Sequence, residues 1–465
     1  MKTHLLLFLI GLTFQVSHAQ FGAQQVISIE AANVRSIYAI DIDGDGDKDV
    51  LSASEGDDKV AWYENTDGLG TFGIQQVITM NLHSAIDVFA SDLDGDIDID
   101  IVVASKGDNS DDGKVVWFEN LDGLGDFSAQ RIITNLTQGP LSVFAIDLDS
   151  DGDKDVLSAS FLDNKIAWYE NTDGLGTFGV QQIISNTALS ARDVFATDLD
   201  GDGDMDVLGA VPGSAEVIWY ENLDGLGSFS SAQSISNETL GILSIFAIDI
   251  DGDDDMDVLS ASPSDNKVAW YKNLDGLGSF GEQQVLTSGI ENELTVYADD
   301  LDNDGDMDVL SASQHVFGDY IVWYENLDGL GTFGPHQIIT TEAETEGPRD
   351  VITADLDNDG DMDVLSASII DYKVAWYENL TLIGISDFSN ESITIVPNPV
   401  TDILRINNTS TTQIESINIY DVLGRLVFQE DEHFNSIDVS YLKSGLLFVT
   451  IETEQGIVTK KVVKK

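Results

Sequence analysis

The chain has 465 residues and an ordinary hydrophobic share of 42%, enough for two or three domains with packed cores. It has no cysteine, which excludes disulfides, cysteine-linked haem and cysteine-based zinc or iron–sulfur centres. A formal charge of −62 argues against nucleic acid and against a polybasic membrane contact, and it opposes compaction unless counter-ions bind.

The first segment reads as a signal peptide over residues 1–19. Lys2 is its charged start, Leu5 to Phe14 its apolar run, and Ser17-His18-Ala19 its small-residue cleavage site before Gln20. The apolar run is too short to span a bilayer. No later segment approaches a spanning length, so stable membrane insertion is not expected.

A tandem repeat follows. Its mark is a run of aspartates at alternate positions, starting at Asp41, Asp92, Asp147, Asp198, Asp249, Asp300 and Asp355, with steps of 51 or 55 residues. The first unit carries four strand-like segments: Ser36–Ile40, Val50–Ser54, Lys59–Asn65 and Phe72–Ile78. Four short strands repeated seven times predict an all-β chain, a seven-bladed β-propeller over residues 20–380. All seven tryptophans (62, 117, 168, 219, 270, 323 and 376) share one repeat position, which suits packing between blades. The seventh unit ends at Leu380 without its last strand, and Phe21–Ile27 (FGAQQVI) supplies the missing sequence. The N-terminal strand is therefore expected to close blade seven and leave no open sheet edge.

The aspartate runs fit the template D-x-D-x-D-G-x-x-D. In the first copy the side-chain ligands are Asp41, Asp43, Asp45 and Asp49, with Asp47 offering its backbone carbonyl. The same five positions recur in the second copy as Asp92, Asp94, Asp96, Asp98 and Asp100, and in the third as Asp147, Asp149, Asp151, Asp153 and Asp155. They recur in the fourth as Asp198, Asp200, Asp202, Asp204 and Asp206, and in the fifth as Asp249, Asp251, Asp253, Asp255 and Asp257. The sixth has Asp300, Asp302, Asp304, Asp306 and Asp308; the seventh has Asp355, Asp357, Asp359, Asp361 and Asp363. All-oxygen, charge-rich ligation selects Ca²⁺, up to seven ions. An EF-hand is excluded, because position twelve is Ser52 and a strand follows. Position six, the sharp turn, is glycine in five copies but Asp254 in the fifth and Ile97 in the second. Blade two is therefore expected to hold the weakest site.

Antiparallel strands alternate direction, so the aspartate loops share one face with the DGLG turns. The remaining loops lie on the opposite face and vary freely among the copies, which reads as a structural face and a recognition face. Six residues before the aspartate runs, copies one, four and seven carry Arg35, Arg192 and Arg349, the candidate ligand-binding residues of that face. Blades seven and one are neighbours, so Arg35 and Arg349 form an expected anion-binding pair for uronate or carboxylate groups.

The units resemble FG-GAP/VCBS-type repeats, the family of the integrin α-subunit propeller. The resemblance rests on Phe72-Gly73, Phe178-Gly179, Phe280-Gly281 and Phe333-Gly334, on the aspartate loops and on the strand after each. It implies calcium on the lower face and ligands on the upper one. Phe127-Ser128 and Phe229-Ser230 depart from the pattern.

Residues 381–391 read as a linker, after which the charge density drops. From residue 390 to 465 there are 7 Lys and Arg against 10 Asp and Glu. Val396-Pro397-Asn398-Pro399, Ile419-Tyr420-Asp421, Gly424-Arg425, Ile437-Asp438-Val439-Ser440, Ser444-Gly445 and the basic end make residues 392–465 similar to the C-terminal sorting domain of the Bacteroidetes type IX secretion system. That resemblance implies a small β-sandwich, the type IX machinery as partner, and delivery to the outer surface or medium of a Gram-negative bacterium. The expected function is an exported adhesion or ligand-binding module for a glycan or protein. The alternative is a polysaccharide-active enzyme, a lyase or hydrolase, on the same scaffold. The scattered histidines form no catalytic spacing, and no catalytic residue is assigned.

Overall fold

The structure is a computed structural model. It describes residues 20–465 except 109–111, 287–289, 315–317, 342–344, 382–392, 398, 409–413, 422–424, 431–433, 435, 444 and 454–455. The expected signal peptide lies outside the described residues, as does the expected linker except for Thr381. The chain divides into two compact units, Met1–Thr381 and Leu382–Lys465.

The first unit begins with β1 (Gln25–Ser28), β2 (Val34–Ile40), β3 (Asp49–Ser54), β4 (Lys59–Tyr63) and β5 (Gln76–Thr79). Strands β2 to β5 form one antiparallel meander, with Tyr38, Leu51, Trp62 and Gln76 on one rung. Strand β3 is buried along its whole length, while β5 is largely accessible. The sequence follows from that: DVLSAS is apolar or small on both faces because both meet a neighbouring sheet.

Equivalent four-stranded sheets span 85–134, 140–185, 193–236, 244–285 and 293–341. A seventh is built from Pro348–Ala354, Asp363–Ser368 and Val374–Tyr377, with β1 as its fourth strand. Gln25 pairs with Trp376 there, and the Gly22 N–H donates to the Glu378 carbonyl at 2.7 Å. Each innermost strand packs on the innermost strands of the next and the previous sheet. Strand β2 meets both Ala85–Ser91 and Pro348–Ala354, so the ring is closed. These are the blades of an all-β propeller.

The core lies between blades. Trp62 is 2% exposed and packs with Val88, Ala90, Ile101, Val103 and Phe118 of the next blade. Burial of one such ring contributes about 4–6 kcal/mol of hydrophobic transfer before ordering costs. The turn after β4 covers the preceding blade's ring. Gly70 has φ +75°, and a Cβ there would collide with Trp376; Gly125 sits the same way on Trp62.

A second link joins neighbours. The Asn120 side-chain amide donates to the Ile42 carbonyl of the preceding blade at 2.9 Å. Asn65, Asn171, Asn222, Asn273, Asn326 and Asn379 do the same at 2.7–2.9 Å. All seven asparagines are buried, so each bond satisfies a carbonyl that water cannot reach.

The second unit has two sheets. One orders Ile393–Val396, Ile403–Asn408 and Ser436–Asp438; the other orders Leu426–Glu430, Ile414–Asp421, Gly445–Thr453 and Gly456–Lys464. Val400, Leu404, Ile406, Ile417, Ile419, Ile437, Leu447 and Val449 fill the space between them, a small β-sandwich core. Among the described residues no helix is long and apolar enough to cross a membrane.

Candidate cation loops and the opposite channel mouth

Each aspartate loop joins the first two strands of a blade. In the first, Asp41 holds the turn together, its two oxygens accepting the Gly44 and Gly46 N–H groups at 2.8 and 2.9 Å. The Asp43 carboxylate accepts from Asp45 N–H at 3.3 Å and the Asp45 carboxylate from Asp47 N–H at 2.9 Å. One oxygen from each of Asp41, Asp43 and Asp45 falls within 4.8 Å of the others. Asp147, Asp149 and Asp155 cluster likewise, as do Asp198, Asp200 and Asp206.

Position nine turns inward. Asp49 accepts Ile42 N–H at 2.9 Å and Asn65 N–H at 2.8 Å, and is 1% exposed. Asp100, Asp155, Asp206, Asp257, Asp308 and Asp363 repeat both contacts, though the Asp257–Ile250 bond is long at 3.3 Å. Burial is the main reason Asp49 is pushed up to about 7 and Asp308 to about 8; the loop's other carboxylates add to it. Position seven differs again. The Asp47 carboxylate stands beside Gly68 of the DGLG turn, and the Asn358 amide of blade seven donates to it at 2.8 Å.

The donor set fits a hard cation. Buried carboxylate oxygens of Asp94, Asp149, Asp200, Asp251 and Asp302, all at position three, have no hydrogen-bond partner. Packed carboxylates without a donor are costly unless a positive charge joins them. Near five of the position-three aspartates stands a further acid: Glu64, Glu170, Glu221, Glu325 or Glu378. Blade five has Lys272 instead. Its ammonium touches Asp251 and lies 2.9 Å from Asp253, a contact that the aspartate spacing alone does not reveal.

Position six has positive φ in every loop. The five glycines lie between 94° and 101°, Ile97 at 83° and Asp254 at 69°. Ile97 keeps the loop's N–H bond to Asp92 at 3.0 Å but sits in a region that β-branched residues rarely adopt.

On the other face the innermost strands open into a cavity of about 200 Å³. Arg35, Arg192 and Arg349 all line it, together with Lys106 and Glu55. The sequence named all three and paired Arg35 with Arg349 from adjacent blades; Arg192, from blade four, reaches the same space. Glu55 receives Arg35 Nε at 2.7 Å and Lys106 Nζ at 3.3 Å. Burial alone would raise Glu55, but Arg35 and Lys106 outweigh it and hold it below the usual carboxylate range.

Just inside runs a ring of Ser36, Asp87, Ser142, Asp193, Ser244, Thr295 and Asp350. Most of its side chains accept an N–H from the next blade: Asp350 from Ile37 at 3.1 Å, Asp87 from Val143 at 2.8 Å and Asp193 from Ile245 at 2.9 Å. Burial pushes Asp87 up to about 7 and Asp350 to about 6. Two residues further along lies an aromatic belt, Tyr38, Phe89, Phe144, Phe195, Phe246 and Tyr297, with ring centroids 4.6–5.3 Å apart. The sequence reading missed both rings, although each falls at a fixed repeat position.

A closed ring of repeated four-stranded blades, each with an acidic hairpin loop, defines a tandem-repeat β-propeller. The chain belongs to the FG-GAP-like repeat family, which it matches in six overlapping stretches from residue 41 to 366. Residues 394–465 match the secretion system C-terminal sorting domain, so the protein is a type IX cargo exported to the cell surface or the extracellular space. No curated protein matches the chain. Among solved structures it is similar to BBS1N, crystallised with ARL6DN and soaked with lead. Identity is 9% and the TM-score 0.53, over 78% of this chain and 97% of that one. The rhamnogalacturonan lyase YesW aligns at 12% identity and TM-score 0.45, over 75% of this chain and 72% of that one. PorZ of the Porphyromonas gingivalis type IX system aligns at 15% and 0.43, over 90% of this chain and 58% of that one.

Proposed function

We propose that this protein is an exported calcium-clipped binding propeller, with residues 20–380 as the binding unit and 392–465 as the address that the type IX machinery reads. The aspartates at positions one, three, five and nine of each loop, with the position-seven carbonyl, hold Ca²⁺. The opposite face takes an extracellular glycan or protein, in adhesion or capture. The observation that carries this reading is the segregation of the two faces. Clustered aspartate loops with partnerless position-three oxygens lie on one, and a cavity where Arg35, Lys106, Arg192 and Arg349 converge beside four acids lies on the other. The calcium clips replace the covalent staples that a cysteine-free exported chain lacks.

The test is a glycan and matrix-protein binding screen of the purified protein, with calcium or with a chelator, alongside turnover assays on a polysaccharide panel. Saturable, calcium-dependent binding without turnover is expected. Polysaccharide cleavage, or binding that survives complete chelation, overturns the reading.

A further inference from the structure

We infer that the channel mouth opposite the aspartate loops is a built oxyanion site, in which Arg192, Arg349 and Arg35 together bind one carboxylate, sulfate or phosphate group. This deepens the binding reading by naming the chemistry of the ligand, and it rests on that reading only for the choice of face.

Arg35 and Lys106 share Glu55. Among the described residues neither the Arg192 nor the Arg349 guanidinium has a hydrogen bond or ion pair. Their sequence neighbours Asp193 and Asp350 attract them through space but make no direct bond to them. Those carboxylates instead accept N–H groups across the blade boundary, Asp193 from Ile245 and Asp350 from Ile37, and Asp193 takes the Ser142 hydroxyl as well at 3.0 Å. Two guanidiniums therefore face a shared cavity without a protein acceptor.

That arrangement is unfavourable when empty. Burial first, and then the charges of Arg192 and Arg35, pull Arg349 well below the ordinary arginine value; Arg192 is lowered by burial and then by Arg35. Solvent reaches all three arginines, so the cavity is a wet funnel with protein around it, not a sealed void. Arg35 is paired with Glu55, whereas Arg192 and Arg349 feel Asp193, Asp350 and Glu55 only through space, which leaves their donor forks for an acceptor from outside. A guanidinium offers a planar fork of donors that matches the paired oxygens of a carboxylate, sulfate or phosphate. A volume of about 200 Å³ admits one such group with a few waters. The lining offers no aromatic ring, so a bare apolar ligand has nothing to pack on.

Other charges facing the mouth set its pH response. Asp87, Asp193 and Asp350 are raised by burial, and Glu55 is held ionised by Arg35 and Lys106. Protonation of Asp87 and Asp350 on going from pH 8 to pH 6 makes the mouth more positive, so oxyanion affinity rises as pH falls.

The test titrates the full chain, calcium present, with sodium sulfate, sodium phosphate or sodium glucuronate against sodium chloride at matched ionic strength. Calorimetry and thermal melting are the readouts, and the order of the three probes tells carboxylate from sulfate or phosphate. Expected is saturable, one-to-one binding that chloride does not reproduce. Arg192→Gln or Arg349→Gln weakens it about tenfold or more, while the exposed-surface control Arg131→Gln leaves it unchanged. If Arg349→Gln fails to fold, Arg192→Gln decides alone, since Arg192 makes no side-chain bond whose loss threatens the fold. Failure of every oxyanion to exceed chloride overturns the proposal, as does equal binding by Arg192→Gln. A negative glycan and matrix screen with a positive oxyanion titration would remove the adhesion reading and leave this one standing.

Discussion

Two single residues set the seven loops apart. At position six the chain needs a left-handed backbone, and Ile97 supplies it at φ 83° where glycine does so elsewhere. A side chain there costs about 1–2 kcal/mol, and β-branching adds to it. Lys272 acts by charge and not by backbone. Its ammonium lies on Asp251 and Asp253, the carboxylates that a cation would bridge, and it stands where most other blades carry glutamate. Two carboxylates of blade five are then partly compensated from within. Calorimetric calcium titration should show fewer strong sites than loops. Ile97→Gly should tighten one weak site by about tenfold, and Lys272→Glu should raise the stoichiometry by one. If neither substitution changes the isotherm, the residue-level reading of both loops is wrong.

The blade is the next unit, and its edges explain the ends of the propeller unit. Blade seven takes β1 as its outer strand, with Gln25 on Trp376 and Val26 on Ala375. Phe21 packs edge-on against Trp323 of blade six, at a centroid distance of 6.5 Å. Deleting residues 20–28 removes that pairing and exposes Val374–Tyr377. The expected fall in melting temperature is on the order of 5–10 °C, and an unchanged melt would show that β1 contributes nothing to closure. The strands, the tryptophan position and the aspartate spacing were legible, because each is a local pattern multiplied by repetition. The asparagine links were equally periodic, but nothing in the composition of a strand end says that its amide will cross to the next blade. Arg192 was named with Arg35 and Arg349, but only those two were paired, because chain order gives the neighbour of a blade, not the width of the channel. Lys272 escaped notice because it lies just past a strand end, 21 residues after the Asp251 that it touches.

For the whole molecule the charge is the governing quantity. Without metal, the position-nine carboxylates hold protons to about pH 7, whereas an unfolded aspartate releases its proton near 3.8. The folded state then binds more protons than the unfolded one between those values. Stability of the chelated protein must therefore fall as pH rises from about 4 to about 7, and stay low above that range. Calcium reverses the order, since it binds the ionised carboxylates. Melting at pH 5 and pH 8, with chelator and with calcium, checks this: the chelated protein should be more stable at pH 5, the loaded protein at pH 8. A pH-independent gap between the two conditions would contradict it.

The pairing of β1 with blade seven also imposes an order in time. Gln25 is made before its partner Trp376, which comes 351 residues later. Until that partner arrives, β1 has no strand to join, and the first blade lacks the neighbour whose Trp376 Gly70 is shaped to cover. A partly emerged chain is thus an open arc with sticky ends, able to pair with a second arc as readily as with itself. Export must keep such arcs apart or deliver the chain whole. An export address that follows the blades suits that need, because it is complete only after every blade has been made.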